Sequence, residues 1–323
     1  MQKWPASLTK ERHGQSRYNA VNLENIEGYK EFVAMFDEEY KKLTLMGEIM
    51  AGIFPSPELK RLANLIQIRV EVEHPEFLTS DEETPLTDYG HWQAEETGKH
   101  LPEVFHGRIP DVAIVSTHKR TRQTWEGNTR GWPELAKTRV IFDPRVREQE
   151  HGLRIGYADW RIYCVKFPEF VLLHKLQEFK NYRHQNGESV LDIEIRIRDV
   201  LDSIQRRYGG APDTIPDMLY HEIKSLRGVT GRVLGGMLDI RGVVPRRVPQ
   251  HVFMVSHHRT ILVASSILER WDAETFQYND RPENRPPNCS ITRYVGVPGD
   301  FAHTQHGWNG YMKKEYANRV FWK

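Results

Sequence analysis

Short apolar runs alternate along the chain with segments that place an apolar residue at every third or fourth position. The runs DVAIVS (111–116) and HVFMVS (251–256) are typical of buried strands, and each ends at a serine. A helix is expected directly after each run. After the second run, Ile261, Ala264 and Leu268 recur at steps of three and four residues, which is the spacing of one helix face.

A helix is also predicted over 190–207, where apolar residues again mark one face. Ser189 stands where a helix cap belongs, and Asp192 is placed to complete a capping box. The apolar face consists of Val190, Ile193, Ile197, Leu201 and Ile204. Strands alternating with such helices predict an α/β fold of three layers, in which helices cover both faces of a mostly parallel central sheet.

One long segment near the start departs from this rhythm. Residues 26–53 carry an apolar stripe that predicts a long amphipathic helix, and the serine and proline at 56–57 predict a second helix that ends near Asn64. Apolar and polar residues then alternate strictly over 66–73, which predicts a half-exposed strand. We interpret 22–75 as an insertion in the core domain.

A second departure covers 211–250, where RG and GG pairs and the basic run VPRRVP predict an exposed loop. We interpret this segment as another insertion. The whole chain, 1–323, is therefore expected to form one domain with two insertions.

Composition narrows the class of protein. The chain has 323 residues, of which 39% are hydrophobic and 28% charged, as in soluble globular proteins. Its net charge of +1 gives no reason to expect a nucleic-acid partner. Its apolar runs are too short for a membrane span, and the first residues lack the apolar run of a secretory signal. Its two cysteines are too few for a disulfide framework, so we expect a cytoplasmic protein.

Arginine and histidine residues follow three predicted strands at the point where each strand ends. Arg12 and His13 follow the first, Arg120 lies just after the second, and His257 and His258 follow the third. Because ligands gather at the carboxyl ends of parallel strands, we expect these side chains to converge. Arginines grip phosphate oxygens through paired hydrogen bonds, and a histidine among them is suited to act as a nucleophile.

A nucleophile of this kind needs an acid that protonates the departing oxygen. The segment DPRVREQEHG (143–152) offers Glu148 and Glu150. Spacing alone leaves both carboxylates open.

The order of these motifs resembles that of the histidine phosphatase superfamily, which is also called phosphoglycerate mutase-like. The matching segments are RHGQSRYN (12–19), LTDYGHWQAEETGKHL (86–101), KRTRQT (119–124), RVREQEHG (145–152), NGESVLD (186–192) and VSHH (255–258). Six motifs in the family's order are far more specific than any one of them. They extend over roughly two thirds of the chain and leave both insertions unexplained.

The resemblance implies a role for each matching residue. His13 is expected to attack phosphorus and become phosphohistidine, and Glu148, favoured over Glu150 by the motif, to act as general acid and base. The residues expected to bind the phosphoryl group are Arg12, Asn19, Arg120 and His257, with Gln15 and His258 as further candidates. The implied substrate is a small phosphorylated molecule, and the implied mechanism needs no metal and no cofactor.

Two departures from the family pattern concern residues beside these motifs. Lys10 and Glu11 stand before Arg12 where the family has apolar residues, and His258 replaces a glycine. A buried charge is costly unless it is paired. We therefore expect either that the first strand ends before this pair or that Glu11 has a basic partner.

The family contains phosphatases and cofactor-dependent mutases, and the chain lacks the TGW or SGW segment by which such mutases contact their substrate. VNLENIEGYKEFVAMF follows the first motif instead, which favours hydrolysis and keeps a mutase as the alternative. A non-catalytic binding module is disfavoured, because the nucleophile, the acid and the arginines are all present. The 22–75 insertion enters between the first two motifs, near the expected pocket rim, and is a candidate lid.

Overall fold

A six-stranded sheet organises the fold in the computed structural model, which describes residues 4–41, 55–75, 80–209, 250–297 and 311–322. The strands are β1 (Ser7–Arg12), β2 (Val112–Val115), β3 (Arg139–Phe142), β4 (His251–Ser256), β5 (Ile291–Val297) and β6 (Tyr311–Arg319). They lie side by side in the order β3-β2-β4-β1-β5-β6. The first four pair in parallel, and β5 and β6 pair antiparallel with their neighbours.

Helices connect the strands and cover the sheet. They are α1 (Arg17–Ala20), α2 (Tyr29–Lys41), α3 (Pro57–Glu73), α4 (Asp88–Val104), α5 (Lys119–Gly131), α6 (Trp160–Lys166), α7 (Pro168–Leu176), α8 (Glu178–Asn181), α9 (Val190–Tyr208), α10 (His258–Glu269) and α11 (Ala273–Asp280). Within the described residues, no helix is long and apolar enough to cross a membrane. The two strands and the two helices predicted from the clearest patterns, over 111–116, 251–256, 190–207 and the segment after Ser256, are all confirmed within a few residues.

Alternate strand residues face two separate cores, which gives the fold its three layers. Ile114 and Met254 pack with the apolar faces of α9 and α10 on one side of the sheet. Val115 and Phe253 pack with α4 and α5 on the other side. A strand covered on both faces has no polar face, which explains the continuous apolar runs in the sequence. The predicted three-layer α/β/α fold is confirmed.

Helix α9 begins as its sequence predicts. The Ser189 side chain accepts a hydrogen bond from the Asp192 backbone N–H, and the Asp192 carboxylate accepts one from the Ser189 N–H. This capping box satisfies two backbone donors that the first helical turn leaves unpaired.

The strand predicted over 66–73 is wrong, because α3 continues through it to Glu73. Ile66 and Val70 are fully buried, whereas Ile68 and Val72 are 58% and 77% exposed. Strict alternation would place all four residues on one face, but the buried pair follows the four-residue step of a helix. The deciding partners are apolar residues of α2 and α6, which the local sequence pattern does not contain.

The long helix predicted over 26–53 is shorter at its start, where α2 begins at Tyr29. Its predicted end falls in 42–53, outside the described residues. The 211–250 insertion also lies outside them, apart from Gln250.

Both expectations for the charged pair in β1 are wrong. The strand does not end early: it runs to Arg12, and Lys10 and Glu11 are fully buried in it opposite Met254 and Val255 of β4. Nor does Glu11 have a basic partner among the described residues. The Asn128 amide of α5 donates a hydrogen bond to its carboxyl group, and burial raises the pKa of Glu11 to about 8.

Lys10 points to the opposite face of the sheet. Its Nζ donates hydrogen bonds to the Ser265 hydroxyl (2.6 Å) and to the Ile261 carbonyl oxygen (3.2 Å) of α10. Burial lowers the pKa of Lys10 to about 7. The strand therefore tolerates two ionisable residues by giving each a polar partner and by shifting its pKa toward the neutral form.

The helical assignment of 57–73 predicts unequal effects from two similar substitutions. We expect Ile66→Asp to lower the free energy of unfolding by about 3 kcal/mol or more, because it buries a charge in the apolar cluster. Ile68→Asp is expected to change it by less than about 0.5 kcal/mol, because that side chain lies in solvent. Urea unfolding of both variants measures the difference, and equal losses would contradict the helix.

The buried Glu11 predicts a stability change that depends on pH. In the folded protein its pKa is about 8, against 4.5 for the ordinary group, so the unfolded chain loses this proton first. The contribution of Glu11 to the stability of the wild type is therefore expected to fall as pH rises from 4.5 to 8. Glu11→Gln has no such proton, and its advantage over wild type should be nearly absent at pH 4.5 and reach on the order of 4 kcal/mol at pH 8, because each pKa unit corresponds to about 1.4 kcal/mol.

Denaturant unfolding across this pH range measures that difference. The exposed Glu274→Gln is a matched control, expected to change the unfolding free energy by less than about 0.5 kcal/mol. An advantage of Glu11→Gln that stays the same at both ends of the range would show that burial does not shift the Glu11 pKa.

Candidate active site

The sheet brings together residues from three strand ends. The His13 backbone N–H donates a hydrogen bond to the Ser256 carbonyl oxygen (3.0 Å), which places the ends of β1 and β4 side by side. The His257 ring lies 5.1 Å from that of His13 and 4.7 Å from that of His118, measured between centroids. Three histidines that are far apart in the sequence thus form one cluster at the carboxyl edge of the sheet.

His13 is almost completely buried in this cluster. Its Nδ1 lies 2.7 Å from the Gly14 carbonyl oxygen. A carbonyl oxygen only accepts hydrogen bonds, so the proton of the neutral ring is on Nδ1 and the lone pair is on Nε2. Burial, together with the positive charges of Arg120 and Arg12, lowers the pKa of His13 well below its ordinary value. The ring is therefore neutral at neutral pH, as a nucleophile must be.

Arg12 supplies a half-buried cation on one side of this ring. Its Nη1 donates to the Pro286 carbonyl oxygen (2.6 Å), and its Nε has no hydrogen-bond partner among the described residues. Burial lowers the pKa of Arg12 to about 10, and Glu148 acts in the opposite direction. The guanidinium group thus stays charged at neutral pH and keeps a free donor.

Arg120 supplies the second cation, from the first turn of α5. Its Nη1 donates to the Asp81 backbone oxygen (2.5 Å), and its Nη2 forms an ion pair with Asp81 Oδ2 (3.0 Å). His257 completes the group of predicted residues, with its Nε2 2.7 Å from the Ser116 hydroxyl. Arginines that converge beside a neutral histidine form a site suited to a phosphoryl group.

Close backbone contacts hold the loop that follows His13. A Cβ atom at Gly90 of α4 would lie 2.1 Å from the Gln15 carbonyl oxygen, so only glycine fits there. The Gln93 side chain accepts a hydrogen bond from the Gln15 N–H (2.9 Å), and the Thr87 hydroxyl donates to Gln15 Oε1 (2.9 Å). The LTDYGHWQA segment therefore positions the loop that follows His13, and the Gln15 side chain is used in that contact.

A cavity of about 490 Å³ opens beside the histidine cluster. The residues that line it are Ser80, Asp81, Glu82, Thr117, His118, Pro144, Arg147, Glu148, Gln149, Glu150, His151, Gly152, Ile155 and Asn186. Most of them come from two segments, 80–82 and 144–155, which stand at the carboxyl edge of the sheet.

Both carboxylates left open by the sequence line this cavity, but their surroundings differ. Glu150 is exposed and forms an ion pair with Arg147 (3.0 Å). Among the described residues, Glu148 accepts hydrogen bonds only from the backbone N–H groups of Gln149 (3.0 Å) and Arg259 (3.4 Å). Its charge also raises the pKa of Arg12. Of the two carboxylates, Glu148 therefore has no cationic side-chain partner among the described residues. It also lies close enough to Arg12 to act on its charge.

Glu188 fixes the loop that carries Glu148. Its carboxylate accepts hydrogen bonds from Arg147 (2.7 Å) and Arg196 (3.2 Å). Arg196 in turn donates to the backbone carbonyl oxygens of Arg145 (2.6 Å) and Glu148 (3.1 Å). The NGES segment thus orders the loop that holds the candidate acid.

Two predicted residues lie at the edge of this arrangement. Asn19 is exposed, and its Oδ1 accepts hydrogen bonds from Ser16 and from Asn288 (3.3 Å), which also donates to the His13 carbonyl oxygen. His258 is turned to Asp280, with 3.4 Å between its Nε2 and the Asp280 Oδ1. The structure gives neither side chain a direct contact with His13.

Sequence reasoning missed Asp81 and Asn288. Asp81 contacts both Arg120 and His118 within the cavity, and Asn288 links His13 to Asn19. The only signal for Asp81 is the acidic run SDEE before the second motif, which is typical of an exposed turn. Nothing near Asn288 in the sequence marks it as part of a site.

Comparison with known proteins provides independent evidence on the family. Residues 70–215 match the model of the histidine phosphatase superfamily (branch 1). Over 186 residues the chain is 25% identical to fructose-2,6-bisphosphatase TIGAR B of Danio rerio, and the aligned region covers 56% of this chain. The chain spans 63% of the length of that relative.

Solved structures share the fold at low identity. Mycobacterial hydrolase 2 superposes with a TM-score of 0.51 at 17% identity, covering 98% of this chain and 92% of its own. Mycobacterial hydrolase 1 gives 0.50 at 16%, with 98% and 99% covered. The α-ribazole phosphatase of Shigella flexneri gives 0.50 at 12%, with 97% and 98% covered. These similarities support the three-layer fold.

Proposed function

The chain belongs to the histidine phosphatase superfamily, and we propose that it hydrolyses phosphomonoesters through a phosphohistidine formed on His13. One observation carries the proposal. The hydrogen bond from His13 Nδ1 to the Gly14 carbonyl oxygen leaves Nε2 with its lone pair, in a neutral ring flanked by arginines. This is the protonation state and the electrostatic setting that a nucleophile for phosphorus needs.

In the first step, His13 Nε2 attacks the phosphorus atom, and the bond from phosphorus to the ester oxygen breaks. Arg12 and Arg120, together the phosphoryl clamp, neutralise charge on the transferred group, and His257 and Asn19 complete its binding. Glu148 in its protonated form donates the proton that the departing oxygen takes up. The alcohol leaves, and the phosphoryl group stays on His13.

In the second step, the Glu148 carboxylate takes a proton from water as the water oxygen attacks phosphorus. The bond from phosphorus to Nε2 breaks, and inorganic phosphate forms. His13 returns to its neutral form and Glu148 is protonated again, so both are ready for the next substrate. Both steps balance with water as the only co-reactant.

The cavity beside the cluster supports a small phosphorylated substrate. At about 490 Å³ it has the size of small-molecule sites, and its wall is polar on the side of Glu148 and Arg147. We include fructose 2,6-bisphosphate among the test substrates, because the relative from Danio rerio is named for it. The two buried free thiols, Cys164 and Cys289, favour a reducing compartment such as the cytoplasm.

Removing the nucleophile tests the proposal directly. We expect wild type to release phosphate from at least one ester in a panel that includes 3-phosphoglycerate and fructose 2,6-bisphosphate. His13→Ala should lose about 10³-fold or more of kcat, because no other group forms the covalent intermediate. His100→Ala, on the outer face of α4, should retain full activity.

The other outcomes of that assay separate the alternatives. Phosphate release that persists in His13→Ala would contradict the phosphohistidine. Transfer between substrate oxygens after a bisphosphoglycerate primer, without release, would identify a mutase. Absence of both reactions would favour the binding module.

The two carboxylates of the cavity wall are tested with p-nitrophenyl phosphate, whose leaving group needs no proton. Glu148→Gln is expected to keep the first step but to lose about 10²-fold or more of steady-state kcat, because no base activates water. Rapid mixing should then show a burst of one nitrophenolate per enzyme before slow turnover. Glu150→Gln should stay within about twofold of wild type, and a larger loss in that variant than in Glu148→Gln would exchange the two roles.

A further inference from the structure

A carboxylate of the chain itself occupies donors of the phosphoryl clamp. Asp81 Oδ2 lies 3.0 Å from Arg120 Nη2 and 3.3 Å from His118 Nε2. The Asp81 backbone oxygen accepts a further hydrogen bond from Arg120 Nη1 (2.5 Å). Both terminal nitrogens of Arg120 are therefore engaged by one residue.

The Asp81 carboxylate is ionised and close to the nucleophile. Burial alone would raise its pKa, but the hydrogen bonds from His118 and Arg120 and the Arg120 charge hold that pKa below its ordinary value. The charge of Asp81 in turn raises the pKa of His13. The Asp81 carboxylate thus acts electrostatically on the His13 ring, which is proposed to attack a phosphoryl group that is itself an anion.

A phosphoryl group cannot share these donors with Asp81 at low cost. Its oxygens would bind the guanidinium group that Asp81 already contacts, and two anions held a few ångströms apart in a shielded pocket repel each other strongly. Arg12, by contrast, keeps an unpaired Nε. The two arginines of the clamp therefore differ: one has a free donor, and the other is held by an internal anion.

The turn that carries Asp81 is exposed on its outer side. It is a single helical turn over Asp81–Glu83, capped by the Ser80 side chain, with Glu82 and Glu83 exposed. Its other ion pair, from Glu83 to Lys119, spans 3.8 Å and is exposed. Exposed pairs of this kind contribute little to stability. The chain is anchored directly after the turn, where Thr84 is fully buried and Leu86 is buried and hydrogen-bonded to Gln123 (2.8 Å).

We propose that Asp81 is a specificity-determining residue that competes with phosphate for Arg120. It holds Arg120 before a phosphoryl group binds and gives it up when one does. An ester offsets this cost through contacts of its alcohol portion with the cavity wall, whereas inorganic phosphate has no such portion. Asp81 therefore lowers the affinity for both ligands by the same factor, and only esters whose alcohol fills the cavity have the additional contacts that compensate for the loss. The inference rests on the proposed function.

Calorimetric titration with inorganic phosphate tests the competition without turnover. Asp81→Asn keeps the size of the side chain and an oxygen acceptor but removes the charge, and we expect its Kd for phosphate to fall about tenfold or more below that of wild type. Glu83→Gln is the matched control: it removes a neighbouring charge that does not reach Arg120, and its Kd should stay within about twofold. In assays, Asp81→Asn should lower the inhibition constant of phosphate and the KM of the ester by similar factors.

Three outcomes would overturn the inference. An unchanged or weaker affinity in Asp81→Asn would show that Asp81 positions Arg120 for substrate instead of competing with it. An equal gain in Glu83→Gln would show an effect of net charge only. If none of the three proteins binds phosphate, the phosphoryl clamp is contradicted as well. If turnover depends on His13 but Asp81→Asn shows no gain in phosphate affinity, only the role of Asp81 is overturned.

Discussion

The site depends on the parallel pairing of β1 with β4. In this register Arg12 lies opposite Ser256, so the residues that follow, His13 and His257, leave the sheet at the same edge. The parallel pairing of β2 with β4 brings the segment that contains His118 and Arg120 to the same place. Without this register, the arginines and histidines would be scattered over separate loops, since long segments of the chain separate the three strands.

Parallel strands impose a constraint on polar residues, because both faces of the sheet are covered and water is excluded from the side chains of the strands. Lys10 and Glu11 meet this constraint with polar partners and with pKa values shifted toward the neutral forms. Arg12 and Arg120 meet it differently, since guanidinium groups stay charged when buried. The resulting positive field, together with burial, keeps His13 neutral.

The same positive field explains why each of the two arginines lies near a carboxylate. A buried cation is costly without an anion, and in this structure Asp81 meets that need for Arg120 while Glu148 acts on Arg12 across the cavity. Under the proposed mechanism, substrate binding is an exchange of anions and not the filling of an unpaired pocket. The arrangement lets a chain with a net charge of only +1 maintain a concentrated positive site.

The sequence by itself determined the motifs, the strands over 111–116 and 251–256, helix α9 with its capping box, and the convergence of Arg12, His13, Arg120 and His257. These features rest on local patterns, on chain order and on the rule for parallel strand ends, all of which can be read along the chain. Only the tertiary structure decided that 66–73 is helical, that the Asn128 amide donates a hydrogen bond to Glu11, and that Asp81 forms an ion pair with Arg120. Each of these depends on a partner distant in sequence, and the burial and charge that such a partner supplies leave no periodic signal in the residues around it.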